Sequence, residues 1–146
     1  MTDAALAPEL PHAPSVIRLL LGKLGIAYEE VLDHHGLNAS RKVQAVLLDD
    51  AVGALMVLFP QSQLLDLNRL AELTGRRLTA VSTERLEKML GKHSLSLLPG
   101  LPALTSSPCL YEESLLREPK LLINSGEPGL LLEISSEDFK SMLTKA

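Results

Sequence analysis

Two aliphatic runs joined by a short polar break constrain this chain more than any other feature. Lys42 to Leu48 reads KVQAVLL and Ala54 to Phe59 reads ALMVLF, with Asp49-Asp50-Ala51-Val52-Gly53 between them. Runs this short suit strands rather than helices, and the acidic pair and glycine supply the turn. The simplest reading is a hairpin of two buried strands. Ala54 to Phe59 is also the longest unbroken apolar run, far below the ~20 residues a membrane span needs, so no membrane segment is expected.

The rest of the chain surrounds that hairpin with mixed elements. Ser15 precedes Val16, Leu19, Leu20 and Leu24 at helical spacing, and Gly25 follows as a stop. Ala27 to Leu32 reads as a strand, and residues 33–38 as a turn-rich connection. Asp66 is placed to cap a helix through Thr74, with Leu67, Leu70, Ala71 and Leu73 apolar and Gly75 ending it. Leu78 to Val81 is a short strand. Ser82 or Thr83 caps a further helix with Leu86, Met89 and Leu90 inward. Strands are expected at Cys109–Tyr111, Lys120–Ile123 and Leu130–Ile134. A closing helix has Ser135 and Asp138 as a capping box and Phe139, Met142 and Leu143 as its buried stripe.

This order is not a regular alternation of strands and helices, so it predicts one α+β domain with a largely antiparallel or mixed sheet. A length of 146 residues buries roughly 70% of the unfolded chain's surface without disulfide or metal staples. The single cysteine, Cys109, excludes an internal disulfide and a CxxC pair and suits a reducing cytoplasm. It reads as a buried inert thiol. His34 and His35 are adjacent and point apart in an extended segment, so no metal site is expected there. No cofactor fingerprint is present.

Charge narrows the partners. Fourteen Lys and Arg against eighteen Asp and Glu give a formal charge of -4, which does not suggest binding to nucleic acid mainly through charge. Arg41-Lys42 and Arg76-Arg77 are the two basic doublets. Residues 1–13, rich in proline and without the apolar core of a signal peptide, read as a loose tail ahead of a domain over residues 14–146.

Four stretches then carry a resemblance: VIRLLLGKLGIAYEEVLDHH, VQAVLLDDAVGALMVLFP, LLDLNRLAELTGRRLTAVSTERLEKMLG and LLINSGEPGLLLEISSEDFKSML. In order and spacing they resemble the YbaK and prolyl-tRNA-synthetase-associated editing domain, over about residues 16–143. That resemblance implies a YbaK-like single domain, with a mixed, barrel-like central sheet and flanking helices. It also implies hydrolysis of the ester of a mischarged tRNA bearing a small amino acid such as Ala, Cys or Pro. The implied partner is a tRNA acceptor end.

The resemblance also assigns site residues, with departures. Family members place a lysine where this chain has Gln44, and a neutral amide positions an anionic substrate less strongly than an ammonium. Lys42, two residues earlier and roughly 6.5 Å along the strand, points to the same face and is a candidate substitute. The family's GxxPxG loop corresponds to Ser96-Leu97-Leu98-Pro99-Gly100-Leu101-Pro102. Gly100 is its candidate oxyanion donor, and Pro99 and Leu101 are pocket walls. Ser125, Gly126 and Gly129 match the family's glycine turn, and His35 matches its histidine near the pocket entrance. Where the family often carries an aspartate, Leu130-Leu131-Leu132 stands here, with Glu133 nearby.

Three functions remain open at this level. The chain is an aminoacyl-tRNA deacylase acting in trans, or a catalytically degenerate editing fold kept as a ligand-binding or regulatory module. In the second case a fused or associated signalling domain, of the HDOD type found beside such domains in bacterial proteins, is expected. The third reading is a structural domain whose pocket is filled by Leu97, Leu98 and Leu101.

Overall fold

The computed structural model describes residues 12–144. Helix α1, Ser15–Leu24, starts behind Pro14 and ends at Gly25, whose φ of 70° is the left-handed conformation that glycine adopts without strain. Its buried centre is Ile17 and Leu21, flanked by Val16, Leu20 and Leu24, while Leu19 is 68% exposed. The expected stripe was therefore one position out of phase. At about 100° per residue Val16, Leu20 and Leu24 span an arc of about 80°, Ile17 and Leu21 extend it by up to about 60° on one side, and Leu19 lies about 60° beyond it on the other.

Strand β1, Glu29–Leu32, leads to the hairpin of β2, Val43–Asp49, and β3, Ala54–Pro60, paired antiparallel from Val43–Pro60 to Asp49–Ala54. Asp50 shapes the turn by accepting the amides of Val52 and Gly53 at 2.9 and 3.2 Å. Helix α2, Leu67–Thr74, is capped by the Asp66 carboxylate, which accepts the amides of Asn68 and Arg69. After β4, Thr79–Ala80, helix α3, Thr83–Lys92, is capped by Ser82. The apolar segment that follows holds a short helix α4, Pro102–Thr105; proline suits the first helical turn. Strand β5, Cys109–Tyr111, a 3-10 segment Glu113–Arg117, β6, Lys120–Asn124, and β7, Leu130–Ser135, precede helix α5, Ser136–Thr144. The Ser135 hydroxyl accepts the Asp138 amide at 3.1 Å, half of the expected capping box.

The strands form two sheets, ordered β1-β7-β6 and β4-β2-β3-β5, with β5 parallel to β3 and the other pairings antiparallel. This corrects the barrel-like expectation. The sheets meet at one parallel bridge, Lys42–Leu122, beside which the Leu122 amide donates to the Arg41 carbonyl at 2.8 Å. Further along, β2 pairs with β4 at Leu48 and Asp49, so no ladder continues from β2 to β6 and closure fails.

The main core draws Met56 and Leu58 from one sheet and Leu121, Ile123 and Leu132 from the other, with Ile17, Leu21 and Phe139 from α1 and α5. Burying each such side chain contributes about 1.5–3 kcal/mol. A second cluster of Leu48, Leu55, Val57, Leu70 and Leu78 lies where α2 covers the other face of the four-stranded sheet. Of residues 1–13, Ala13 is packed into the main core, and residues 1–11 lie outside the described residues.

Candidate functional site

The glycine turn after β6 organises one end of the molecule. Ser125 is fully buried, its hydroxyl donating to the Leu130 carbonyl at 2.8 Å and accepting the Glu127 amide at 3.2 Å. Gly126 has φ +90°, and its amide donates to the Asn124 side chain at 2.8 Å. The Gly126 carbonyl accepts the amides of Ser96 and Leu97 at 3.0 and 3.2 Å, and the Gly129 carbonyl accepts the Asp33 amide at 2.9 Å. Asp33 in turn holds Lys42, Oδ1 to Nζ 2.7 Å, while that ammonium also donates to the His34 carbonyl at 3.4 Å.

The predicted residues Lys42, Ser125, Gly126 and Gly129 thus share one rim with the start of the 96–102 loop. Lys42 lies at the isolated bridge just before β2, its side chain 15% exposed. The rim depends on two residues that sequence reasoning did not select, Asp33 and Asn124. Asn124 carried a readable signal, because asparagine two residues before a glycine commonly accepts that amide in a turn.

Other predicted residues lie apart. Ala45 packs on the main core and Val46 on the second cluster, so strand alternation places exposed Gln44 on the second cluster's face. Gly100 is buried on the main-core side, where a Cβ would stand 3.6 Å from Ile123 and 3.8 Å from Leu58. Pro99 is buried and Leu101 fully so. Leu98 packs against the core and Leu97 is 38% exposed, so the leucines fill space unequally. His35 is exposed, and neighbouring His34 turns inward on its own loop, its Nδ1 accepting the Gly36 amide at 3.0 Å.

Carboxylates hold the basic side chains at both ends of β2. Arg41 meets Glu133 at 2.5 Å, Lys120 approaches the same carboxylate at 3.8 Å, and Arg76 meets Asp50 at 2.6 Å. The Arg76 hydrogen bonds hold the Asp50 carboxyl well below the usual carboxylate range. Burial pushes the Cys109 thiol up, which disfavours the thiolate; the side chain is partly buried rather than sealed in the core. The amides named at the rim are thus already bonded within the protein, and its one ammonium, Lys42, is held by the half-exposed carboxylate of Asp33. Among the described residues no group of three His, Cys, Asp or Glu is arranged to hold a metal, and no helix is long and apolar enough to cross a membrane.

Two clefts lie away from this rim. One, about 630 Å³, includes Leu24, Pro108, Cys109 and Met142, and another, about 500 Å³, runs beside α2.

Comparison with solved structures places the fold. A candidate signal transduction protein from Marinobacter aquaeolei VT8 is similar at 27% identity and TM-score 0.81 over 94% of this chain; the chain spans 30% of that protein's length. A candidate trans-editing enzyme for prolyl-tRNA synthetase is similar in fold at 17% identity and TM-score 0.75, over 93% of this chain and 94% of that one. Among curated proteins no relative matches the chain. Residues 26–142 match the profile described as the aminoacyl-tRNA editing domain, and the chain belongs to that family.

Proposed function

We propose that this domain binds the aminoacyl end of a tRNA carrying a small amino acid and hydrolyses its ester slowly, as a trans-acting editing module of the cytoplasm. The observation that carries this reading is the hydrogen-bonded rim linking Lys42, Asp33, the 125–129 turn and the 96–97 amides. Family membership supplies the substrate class. The resemblance of the sequence to that family implies a small amino acid such as alanine, cysteine or proline. Lys42 faces the terminal phosphate or carbonyl, and Ser125, Gly126 and Gly129 shape the pocket edge. Pro99, Gly100 and Leu101 form a packed wall behind them.

Slow turnover follows from the departures. Gln44 lies on the second cluster's face and brings no charge to the rim, and Gly100 lies buried against Ile123 and Leu58. Loss of one such positioning or oxyanion contact costs about 10²–10³ in rate. Single-turnover deacylation of alanyl-, cysteinyl- and prolyl-tRNA tests the reading. The unaltered protein is expected to exceed the uncatalysed rate and Lys42→Ala to lose that excess, whereas Gln44→Lys, which lies away from the rim, is expected to leave it unchanged. Absence of hydrolysis by all three proteins overturns it.

A second reading has its own support. The Marinobacter protein embeds a similar domain within a longer chain named for signal transduction. On this reading the domain senses an aminoacyl end or amino acid for a fused or associated signalling domain. The distinguishing result is saturable aminoacyl-tRNA binding, weakened in Lys42→Ala, without hydrolysis.

A further inference from the structure

Helix α2 carries more apolar surface than the fold covers. Leu70 is buried in the second cluster, yet Leu73 is 70% exposed and Leu64, just ahead of the helix, is 97% exposed. Together with Tyr111 of β5 they border the groove of about 500 Å³ between α2 and the β3–β5 end of the sheet. Its wall on the α2 side is formed by Asp66, Arg69, Leu70, Leu73 and Thr74. That spacing follows the helix through two turns, so the groove is elongated along α2, roughly 12 Å at 1.5 Å per residue. Its opposite margin is acidic: Glu112 and Glu113 follow β5, and with Asp66, the cap of α2 on the facing wall, the lining holds three carboxylates against the single guanidinium of Arg69.

These features select an occupant. A surface with excess carboxylates repels a nucleic-acid backbone, so this groove is separate from any tRNA contact at the rim. Its length and leucine floor match an apolar helical stripe, and its margin matches cations. We infer that the groove docks an amphipathic helix of a partner protein, with aliphatic side chains on one face and lysine or arginine along its edge. This inference does not depend on the hydrolytic reading of the rim.

The test uses the full chain and two labelled peptides of about 15 residues, a length at which an amphipathic helix becomes stable. The peptides share one leucine face and carry either lysine or glutamate at its margins. Fluorescence anisotropy is expected to show saturable binding of the lysine peptide, at least about tenfold weaker binding of the glutamate peptide, and at least about tenfold loss in Leu73→Asp. The double variant Glu112→Lys, Glu113→Lys is expected to reverse the peptide preference. Leu64→Asp provides an independent variant, and unchanged thermal melting of both aspartate variants shows that they fold. The inference is overturned by no saturable binding, by equal binding of the two peptides, or by binding indifferent to both aspartate variants. It is also overturned if sedimentation shows self-association that Leu73→Asp abolishes, since the groove would then be an interface between copies.

Discussion

The two ends of β2 are built from the same parts with opposite polarity. At its end, Asp49 and Asp50 are held by Arg85 and Arg76; ahead of its start, Arg41 and Lys42 are held by Glu133 and Asp33. The acidic end is closed by a fork: Arg76 donates Nε and NH2 to the two Asp50 oxygens, and NH2 also reaches the Gly53 carbonyl at 2.8 Å. At the basic end, Lys42 meets Asp33 through one ammonium, and the Asp33 side chain is 41% exposed. A bidentate pair fixes geometry, whereas a single contact to an exposed carboxylate can be exchanged for another anion. The difference separates a structural turn from a place where a ligand's phosphate or carbonyl can compete.

The largest expected effect lies in the turn that supports the basic end. Valine at Gly126 would have to hold φ +90° and place its Cβ 2.7 Å from the tip of Leu95. Gly126→Val is expected to cost about 2–3 kcal/mol in urea denaturation. Because Gly126 anchors Ser96 and Leu97, any deacylation should fall with it. Unchanged stability would mean that the turn is not the scaffold of the rim.

The acidic end should reveal itself in the pH dependence of stability. Asp50 titrates well below its ordinary value in the folded chain, while the unfolded carboxyl takes its proton near about pH 3.9. Its stabilisation is thus complete above that pH and is lost as the pH falls toward the folded value. Asp50→Asn is expected to melt lower at neutral pH and to lose less stability between about pH 5 and pH 2 than the unaltered protein. Parallel acid limbs for the two proteins would break the assignment of this end as the electrostatic clamp.

What the sequence made legible was local. Asp66 and Ser82 accept amides two or three residues away, and Gly25 and Gly75 end helices by their own φ, so residue type and spacing carried those assignments. The family pattern located the glycine turn, whose internal bonds also lie within a few residues. Less legible was whatever depends on distant chain. The Lys42–Leu122 bridge joins two sheets across a long separation, and nothing near either residue announces that the ladder stops there. Gly100 has the composition of a ligand loop, but Ile123 and Leu58 determine its burial. Gln44 was placed by motif matching, whereas its face follows from which neighbours each core claims. Asp33 has no local signal, because its role exists only when the turn and Lys42 are folded around it.

The smallest expected effect discriminates best between the two ends. Asp33→Asn removes the charge that holds Lys42 but keeps the Asp33 amide bonded to the Gly129 carbonyl. An ion pair whose carboxylate is 41% exposed contributes about 1 kcal/mol or less, and the Lys42 ammonium keeps its bond to the His34 carbonyl, so melting should change little. Lys42 would then be available to a ligand. Aminoacyl-tRNA binding is expected to tighten about threefold at low salt, with a steeper salt dependence as one more phosphate contact forms. The corresponding change at the other end, Asp50→Asn, should leave binding unaltered while lowering stability. Tightening in both variants would indicate a general loss of negative charge, and tightening in neither would show that Lys42 is as structural as Arg76.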